Sequence, residues 1–578
     1  MLYLISPLVP KSSCPLVPKS LSSMVGSAYP TKFMKLKQRR TLGQFLGLFC
    51  LCFFLAISCT NRPDRGPTIS TPSAGGSHRL SVGTTARPRT LDPADGYDEA
   101  ISNIITSMGD RLYTYKEGTL ELEPQLATEL PKISEDGLTY TIPLRQGVTF
   151  HDGTAFNGSA MAFSLKRFSE NGGKPSALLS DIMESVEATG EYEITIKLKN
   201  AFAPFPSLLA FSGMCAVSPK AYEIGSGKFK PNEFVGTGPY KLTSFSPDLV
   251  KIDVFNQYWG KKPANQGIDF QLLSSAANLY NSFTTGAVDI AYQTLDADQI
   301  ISLQQKASSN GWQVVEKAGS SISYLVLNVL QKPLDQLEVR QAIAAMINRP
   351  LITERVYKKQ AEPVYSIVPS GFDAHKPTFQ EPYGDGNVEK VKELLTKSGF
   401  SQEKPFELEI YYSSSSSERE QVVSTLREYA AQKFDGIIQI KPQPVESTTL
   451  FANASKGLYQ SYVVAWLPDF GDPDNYIQPF FSCTKGSAAT GCEQGASQSQ
   501  GFYYYSDRMN QLIRDERIEQ DPSARNKIFA EIQDLLAADV PVVPLWQKKQ
   551  YAFAQKSVQN VTLNPVLGPT FWNVSKKA

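Results

Sequence analysis

The stretch from 463 to 475, an apolar run that ends abruptly in carboxylates, constrains the fold of this chain most. Residues 463–466 (Val-Val-Ala-Trp) lack the alternation of a half-exposed strand, so they predict a strand that is buried on both faces. Pro468 and Pro473 then end the pairing, because proline cannot donate to a ladder. Since open α/β sheets bind ligands beyond the carboxyl ends of their strands, we expect a binding surface at 466–469.

Strand-like and helix-like segments alternate along the rest of the chain. The strand pattern occurs at 139–144, 193–198, 323–329 and 406–412, and helical apolar stripes occur at 339–347 and 528–536. Asp521 and Pro522 supply an N-cap and a first-turn proline for the second helix. We therefore predict an α/β fold. At least two lobes are needed, because the chain is longer than the about 250–300 residues that one core serves.

The first 58 residues predict export. Basic residues between 32 and 40 precede a short apolar run at 45–57, and Ala56-Ile57-Ser58-Cys59 follows. These are the parts of a secretory signal. The last four residues resemble a bacterial lipobox, which implies cleavage before Cys59 and a lipid on its thiol. The body is then lipid-anchored to the membrane and faces the periplasm or the cell exterior.

The leader leaves some alternatives open. Met34 is a second candidate start, because a signal needs nothing from residues 1–33. The run at 45–57 is short for a membrane span of about 20 residues, yet an uncleaved anchor is an alternative. A twin-arginine signal at Arg39-Arg40 is another, although the following Thr-Leu-Gly fits that motif poorly.

The charge balance argues against a nucleic-acid partner. Residues 1–58 hold seven of the 57 basic residues and none of the 57 acidic ones, so 50 basic and 57 acidic residues follow them. Nucleic acids and anionic membranes both require a basic face, which this balance does not favour.

Two of the four cysteines that follow the cleavage point lie close together. Cys483 and Cys492 occupy a segment rich in Ser, Gly, Ala and Gln. Because an exported protein meets an oxidising compartment, we predict that they form a disulfide; two free thiols are the alternative.

Catalytic and metal motifs are scarce. The sequence has three histidines and no His-Glu-x-x-His, Gly-x-Ser-x-Gly or phosphate-loop motif. A site for a hard metal ion remains an alternative at Asp469, Asp472 and Asp474, although the spacing of these residues misses the pattern of a calcium loop. We expect no catalytic residue, no cofactor and no resident metal.

Several blocks of sequence carry a resemblance. Residues 138–154 (Leu-Thr-Tyr-Thr-Ile-Pro-Leu-Arg-Gln-Gly-Val-Thr-Phe-His-Asp-Gly-Thr) look like the N-terminal signature of the family 5 extracellular solute-binding proteins, the oligopeptide, dipeptide and nickel receptors of bacterial ABC importers. Further blocks resemble that family in the same order: 235–240 (Val-Gly-Thr-Gly-Pro-Tyr), Tyr258-Trp259, 339–343 (Val-Arg-Gln-Ala-Ile) and 541–545 (Pro-Val-Val-Pro-Leu). The similarity extends from about residue 80 to the C-terminus.

The resemblance implies a type II periplasmic-binding-protein fold, in which two α/β lobes close on a ligand by a hinge. The chain then divides into an extension and signal (1–58), a flexible tether (59–79), lobe I (80–320, with an extra subdomain at about 111–233), lobe II (321–547) and a return to lobe I (548–578). Receptors of this family usually act as monomers.

The resemblance also assigns ligand-binding residues. In peptide-binding members, an aspartate that follows the strand corresponding to 463–466 accepts the ligand's α-ammonium. The matching residue in this chain is Asp469. Trp466, Leu467 and Pro468 then supply backbone groups and an apolar wall. The matching segment of lobe I is Ala94, Asp95 and Gly96. The aspartates at 472 and 474 are expected to cap or brace the following helix.

One departure from the family bears on ligand length. Dipeptide-binding members have an arginine after the strand at 406–412 that holds the ligand carboxylate, whereas this chain has serines at 413–417 and its nearest arginine is Arg419. We expect Ser413 and Ser416 to line the ligand site there. Strict dipeptide specificity is therefore not expected.

Two classes of function remain. The resemblance implies a lipid-anchored receptor that delivers oligopeptides, or a similar amine-bearing solute, to an inner-membrane ABC permease without transforming them. Family members that bind a nickel or other metal chelate, a sugar or a signalling compound are an alternative. A secreted hydrolase that uses Asp469 and Asp472 as a carboxylate pair is the alternative from another class.

Overall fold

The fold is built around a large mixed β-sheet, seen in a computed structural model that describes residues 78–292 and 294–577. The predicted signal, Cys59 and the tether as far as residue 77 lie outside the described residues. No helix in the described ranges is long and apolar enough to cross a bilayer.

The β-strands occur along the whole described chain. In chain order they are β1 Leu80–Thr84, β2 Tyr113–Tyr115, β3 Leu122–Pro124, β4 Lys132–Ile133, β5 Thr139–Pro143, β6 Met183–Gly190, β7 Glu193–Leu198, β8 Tyr240–Phe245, β9 Leu249–Val254, β10 Gly267–Leu272, β11 Ile290–Tyr292, β12 Gln313–Leu327, β13 Ala361–Pro363, β14 Phe406–Ser413, β15 Ile438–Val445, β16 Ser461–Trp466, β17 Lys485–Ser487, β18 Gly491–Gln494, β19 Val542–Ala554, β20 Val558–Gln559, β21 Thr562–Asn564, β22 Gly568–Thr570 and β23 Ser575–Lys576.

The helices lie between these strands and confirm the predicted α/β class. They are α1 Glu99–Met108, α2 Gly158–Glu170, α3 Ala177–Ser180, α4 Phe205–Leu208, α5 Ala276–Thr284, α6 Ala297–Asn310, α7 Leu337–Met346, α8 Arg349–Arg355, α9 Gln380–Tyr383, α10 Val388–Lys397, α11 Ser417–Lys433, α12 Ser447–Ala454, α13 Gln478–Phe481, α14 Ala496–Ser499, α15 Asp507–Ile518 and α16 Pro522–Asp539, with 3₁₀ turns at Ser212–Met214 and Pro473–Tyr476.

Two long strands, β12 and β19, join the two halves of the main sheet. The strand order is β15-β14-β16-β12-β19-β11-β1-β10-β9-β8, and β13 also pairs with β19. The first part of β12 pairs with the last part of β19, which continues through β11 to β1. The last part of β12 pairs with β16 as well as with the start of β19. An irregularity between Ala318 and Ile322 separates these two stretches of pairing.

The apolar side chains pack into separate clusters. One cluster lies around α7, α10, α11, β14 and the start of β19, and another lies around α1, β1, β9 and β10. A further cluster, the 112–216 core, lies mainly within residues 112–216, which also form the sheet β4-β5-β7-β6. Phe470, more than 250 residues later in the chain, packs into the 112–216 core.

The observed elements agree with the predicted strands and helices, with one clear difference. The predicted strand at 323–329 is the end of the 15-residue β12, which begins ten residues earlier at Gln313. The earlier half was missed because it carries polar and charged residues and is only partly buried. At α16 the Asp521 side chain accepts from the Ala524 N–H at 2.7 Å and Pro522 occupies the first turn, so that predicted cap is confirmed.

Candidate functional site

The site centres on the acidic loop, residues 467–475, which begins where β16 ends at Trp466. β16 lies between β14, to which it is parallel, and β12, to which it is antiparallel. Val463 and Val464 are buried, which confirms the predicted buried strand. Of the residues predicted to form the apolar wall, Trp466 and Leu467 are half-buried and Pro468 is buried.

Asp469 carries a buried carboxylate with neutral partners. The Tyr97 hydroxyl donates to its Oδ1 at 2.5 Å. Burial raises the pKa of the Asp469 carboxyl to about 6, and the hydrogen bonds from Tyr97 and Asn475 oppose that rise. Across 78–292 and 294–577, no lysine, arginine or histidine forms an ion pair with Asp469 or lowers its pKa. The carboxylate therefore has hydrogen-bond donors but no counter-ion among the residues that the structure describes.

Asn475 fixes the shape of the acidic loop. Its side-chain oxygen accepts from the Asp469 backbone N–H at 2.9 Å and from the Trp466 indole N–H at 3.2 Å. Asn475 is buried, and its side chain also hydrogen-bonds to the Asp469 carboxylate. An amide can accept and donate at once, so this single residue orients both the backbone and the side chain of Asp469.

The acidic loop also contacts the 112–216 core. Phe470 packs perpendicular to Phe202, with ring centroids 6.3 Å apart. The Gly471 N–H donates to the Tyr115 hydroxyl at 2.8 Å, and a Cβ at this glycine would lie 2.9–3.1 Å from the Tyr115 side chain. These contacts place Asp469 between the sheet edge and the 112–216 core.

Within the acidic loop, Asp472 and Asp474 lie close to arginines of the protein. Asp472 accepts from both terminal nitrogens of Arg525, at 2.6 and 2.7 Å, and from the backbone N–H of Asp474 at 2.9 Å. These contacts are those of residues that brace the following turn. Arg525 also donates to Glu516, which is fully buried and lies against Asp474.

The segment of Ala94, Asp95 and Gly96 lies beside Asp469, because Tyr97 follows it directly. Asp92 anchors the segment through two hydrogen bonds from the buried Arg167, at 2.8 and 2.6 Å. The backbone N–H groups of Asp95 and Gly96 both donate to the Asp92 carbonyl. The Asp95 carboxylate pairs with Arg89 at 2.8 Å, so it already has a cation.

The serines are placed differently from Asp469. Ser413 ends β14 at the same sheet edge, since β14 and β16 are parallel. Its buried hydroxyl contacts the Ser415 hydroxyl at 2.8 Å and the Ser447 hydroxyl at 2.5 Å. Ser416 is the N-cap of α11 and accepts from the Arg419 N–H at 3.3 Å. No hydrogen bond joins either serine to the acidic loop in the described part of the chain.

Other candidate residues lie elsewhere. Burial lowers the pKa of His151 to about 4, and its ring contacts the backbone at Gly236 and Gly238, as expected of a turn or core histidine. Cys483 and Cys492 form a disulfide that closes the hairpin β17-β18. Within the residues that the structure describes, no group of three or more His, Cys, Asp or Glu side chains is arranged to hold a metal ion.

Two residues of the site, Tyr97 and Asn475, were not predicted. Tyr97 is 372 residues from Asp469 in the sequence, and only the fold brings them together. The sequence signal that could have identified Tyr97 is its position directly after Gly96, at the end of the predicted lobe I segment of the site. Asn475 lies within the stretch that the sequence singled out, but its contacts depend on the exact turn of the loop.

Comparison with known proteins gives the same family across most of the chain. Residues 121–488 match the family model for bacterial extracellular solute-binding proteins, family 5 Middle. The chain is 26% identical over 491 residues to the dipeptide-binding protein of Escherichia coli strain K12, which covers 81% of this chain and 88% of that protein. It is 27% identical over 504 residues to the glutathione-binding protein GsiB of Escherichia coli O6:K15:H31, which covers 83% of this chain and 91% of that protein.

Solved structures share the fold. The periplasmic binding protein DppA of Helicobacter pylori, in complex with the peptide STSA, superposes with a TM-score of 0.69 at 23% identity and covers 87% of this chain and 98% of that one. The predicted type II periplasmic-binding-protein fold of the peptide-binding class is therefore confirmed.

Proposed function

The chain belongs to family 5 of the bacterial extracellular solute-binding proteins, and we propose that it is a receptor that captures oligopeptides, or a similar solute with a free amine, for an ABC importer. In this proposal the receptor binds its solute and does not transform it. A membrane permease complex is then its protein partner.

One observation carries the proposal: the Asp469 carboxylate is buried and has no cation from the described part of the protein. An ionised carboxylate in such a place is costly unless an opposite charge joins it. The ammonium of a bound solute supplies that charge and forms a strong, charge-assisted hydrogen bond. Asp469 is thus the residue that we propose for the ligand's amine.

The named relatives and the serine segment both support a ligand with a free amine and no fixed length. Dipeptides and glutathione, which the relatives are named for, both carry a primary ammonium. The Ser413 and Ser416 side chains are neutral and are already hydrogen-bonded to Ser415, Ser447 and the α11 backbone. They supply no cation that would fix the distance from Asp469 to a ligand carboxylate. Longer peptides, and amines without a carboxylate, are therefore compatible with the site.

We place the hinge between the lobes at the strands β12 and β19. The irregularity between Ala318 and Ile322, opposite Gln547–Lys549 of β19, coincides with the expected boundaries at 320 and 547. Bending there separates the acidic loop from the 112–216 core and admits the ligand. The extra subdomain that we expect at 111–233 contains that core.

Location and assembly belong to the same proposal. We expect Cys59 to carry a lipid that holds the receptor on the outer side of the membrane, and we expect the receptor to act as a monomer. Neither expectation depends on the site geometry. Mass spectrometry of the mature protein, which would show a diacylated N-terminal cysteine, tests the first.

A thermal-shift experiment tests the function. Residues 60–578 are heated with pools of lysine-free tripeptides to pentapeptides, and retained peptides are then identified by mass spectrometry. A ligand at 100 times its dissociation constant adds about 2.7 kcal/mol to the free energy of unfolding, which is readily detected. Stabilisation by peptides that are recovered intact supports the receptor. Recovery of cleaved products supports the hydrolase instead, and stabilisation only by sugars or metal chelates refutes the peptide assignment.

A further inference from the structure

The hydrogen bond between Tyr97 and Asp469 determines which groups the site can accept. Above the pKa of about 6, the Asp469 carboxylate is ionised and can only accept. The Tyr97 hydroxyl must therefore donate its single proton to Oδ1 across the 2.5 Å contact. Burial and the neighbouring Asp469 raise the pKa of Tyr97 far above its usual range, so it remains a neutral phenol. Its oxygen then has lone pairs but no further proton to offer.

The Tyr97 hydroxyl is held in place by its surroundings. The residue lies between Gly96 and Asp98, whose side chain caps α1 by accepting from the Ile101 N–H at 2.9 Å. The Tyr97 ring packs edge-on against Phe211, with centroids 6.3 Å apart. As whole residues, Tyr97 and Asp469 are each half-buried, so the fold does not enclose either residue completely.

We propose that Tyr97 is a second acceptor for the ligand's ammonium, so that the Tyr97–Asp469 pair selects a nitrogen that offers at least two N–H donors. The inference rests on the proposed function and deepens it. A primary ammonium donates to the carboxylate and to the phenol oxygen together. A tertiary ammonium has the same charge but a single N–H, so it satisfies only one of the two acceptors. An acylated amine has lost the charge as well.

The test compares two forms of one ligand pool on two proteins. The lysine-free peptide pool is used with free N-termini, and again after reductive dimethylation, which keeps the positive charge and leaves one N–H. Affinities are measured by competition on the wild-type receptor and on Tyr97→Phe. We expect the wild type to prefer the free pool. Tyr97→Phe should bind the free pool about tenfold more weakly and lose most of that preference.

A matched tyrosine gives the control. Tyr115 also joins the acidic loop to the 112–216 core, through its contact with the Gly471 N–H, but it forms no hydrogen bond to the carboxylate. Tyr115→Phe should keep the preference for the free pool even if its overall affinity changes. A loss of preference in Tyr115→Phe equal to that in Tyr97→Phe overturns the inference, because the effect would then come from seating of the loop.

The pH profile supplies a second readout that simple ring packing would not move. The hydrogen bond from Tyr97 lowers the pKa of Asp469, so its removal in Tyr97→Phe should shift the acid midpoint of ligand affinity upward from about 6. The variant keeps the ring against Phe211, and thermal unfolding verifies that it is folded.

The outcomes separate this inference from the function itself. If wild type and Tyr97→Phe show the same preference, Tyr97 is not an acceptor for the ligand, and the inference fails while the receptor function stands. If the wild type binds neither pool, the peptide-receptor proposal fails and the inference fails with it.

Discussion

Ligand affinity should fall as the pH is lowered through the pKa of Asp469. Binding an ammonium requires the ionised carboxylate, whereas the ligand-free carboxyl takes up a proton with a pKa of about 6. The affinity is then divided by one plus the ratio of protonated to ionised Asp469. That factor is negligible at pH 7.5 and about 11 at pH 5. At the other extreme, affinity should decline above about pH 8, where a peptide's α-amino group loses its proton.

Isothermal titration calorimetry of a retained peptide measures this profile directly. At pH 6 about half of the Asp469 carboxyls carry a proton in the free protein, so binding should release about half a proton per ligand. Repeating the titration in buffers with different ionisation enthalpies gives that number. The variant Asp469→Asn should show no acid limb. An affinity that stays constant from pH 7.5 to pH 5 in the wild type would refute the assignment of the ammonium to this carboxylate.

Two further predictions concern the support of the site. Burial beside Asp474 raises the pKa of Glu516, so its neutral form is favoured on folding and its stabilisation is lost as the pH rises toward that folded-state pKa. The resulting decline of Tm should begin above the ordinary carboxyl pKa of 4.5 and should be absent in Glu516→Gln. An equal drop in Tm at every pH would contradict this. Gly173→Ala places a Cβ 1.9 Å from the Ala94 carbonyl oxygen, so we expect a loss of about 1–3 kcal/mol in stability, measured by chemical unfolding, and weaker peptide binding. Gly371→Ala, where the nearest atom is 3.8 Å away, should change neither.

Sequence patterns placed Asp469 just after a buried strand because that signal is local; its role as the ligand residue came from the family resemblance. An apolar run without alternation marks a buried strand, and the carboxylate at its end marks the sheet edge, so both follow from a few consecutive residues. The turn at Asp472 also has a local signal, because the Asp472 side chain accepts from the backbone N–H of Asp474, two residues later. The paired cysteines are also close in sequence.

The partners of Asp469 could not be predicted in this way. Tyr97 lies 372 residues before Asp469 in the chain. Phe470 packs against Phe202 in the 112–216 core, whereas Val463 of the preceding strand belongs to another hydrophobic cluster. These pairings depend on how the halves of the sheet meet, which no local pattern encodes. Ser416 shows the converse difficulty: a serine before a helix predicts a cap as readily as a ligand contact, and the structure uses it as a cap.

The most direct test of the account is the affinity of Asp469→Asn for a peptide that the wild type retains, measured by calorimetry at pH 7.5 beside the N-acetylated form of that peptide. Removing one partner of a buried charge pair costs about 2 kcal/mol or more, so the variant should bind at least about 30-fold more weakly. The acetylated peptide should bind neither protein, and the surface variant Asp435→Asn should match the wild type. Unchanged affinity in Asp469→Asn, or equal binding of the acetylated peptide, would contradict the claim that Asp469 receives the ligand's ammonium.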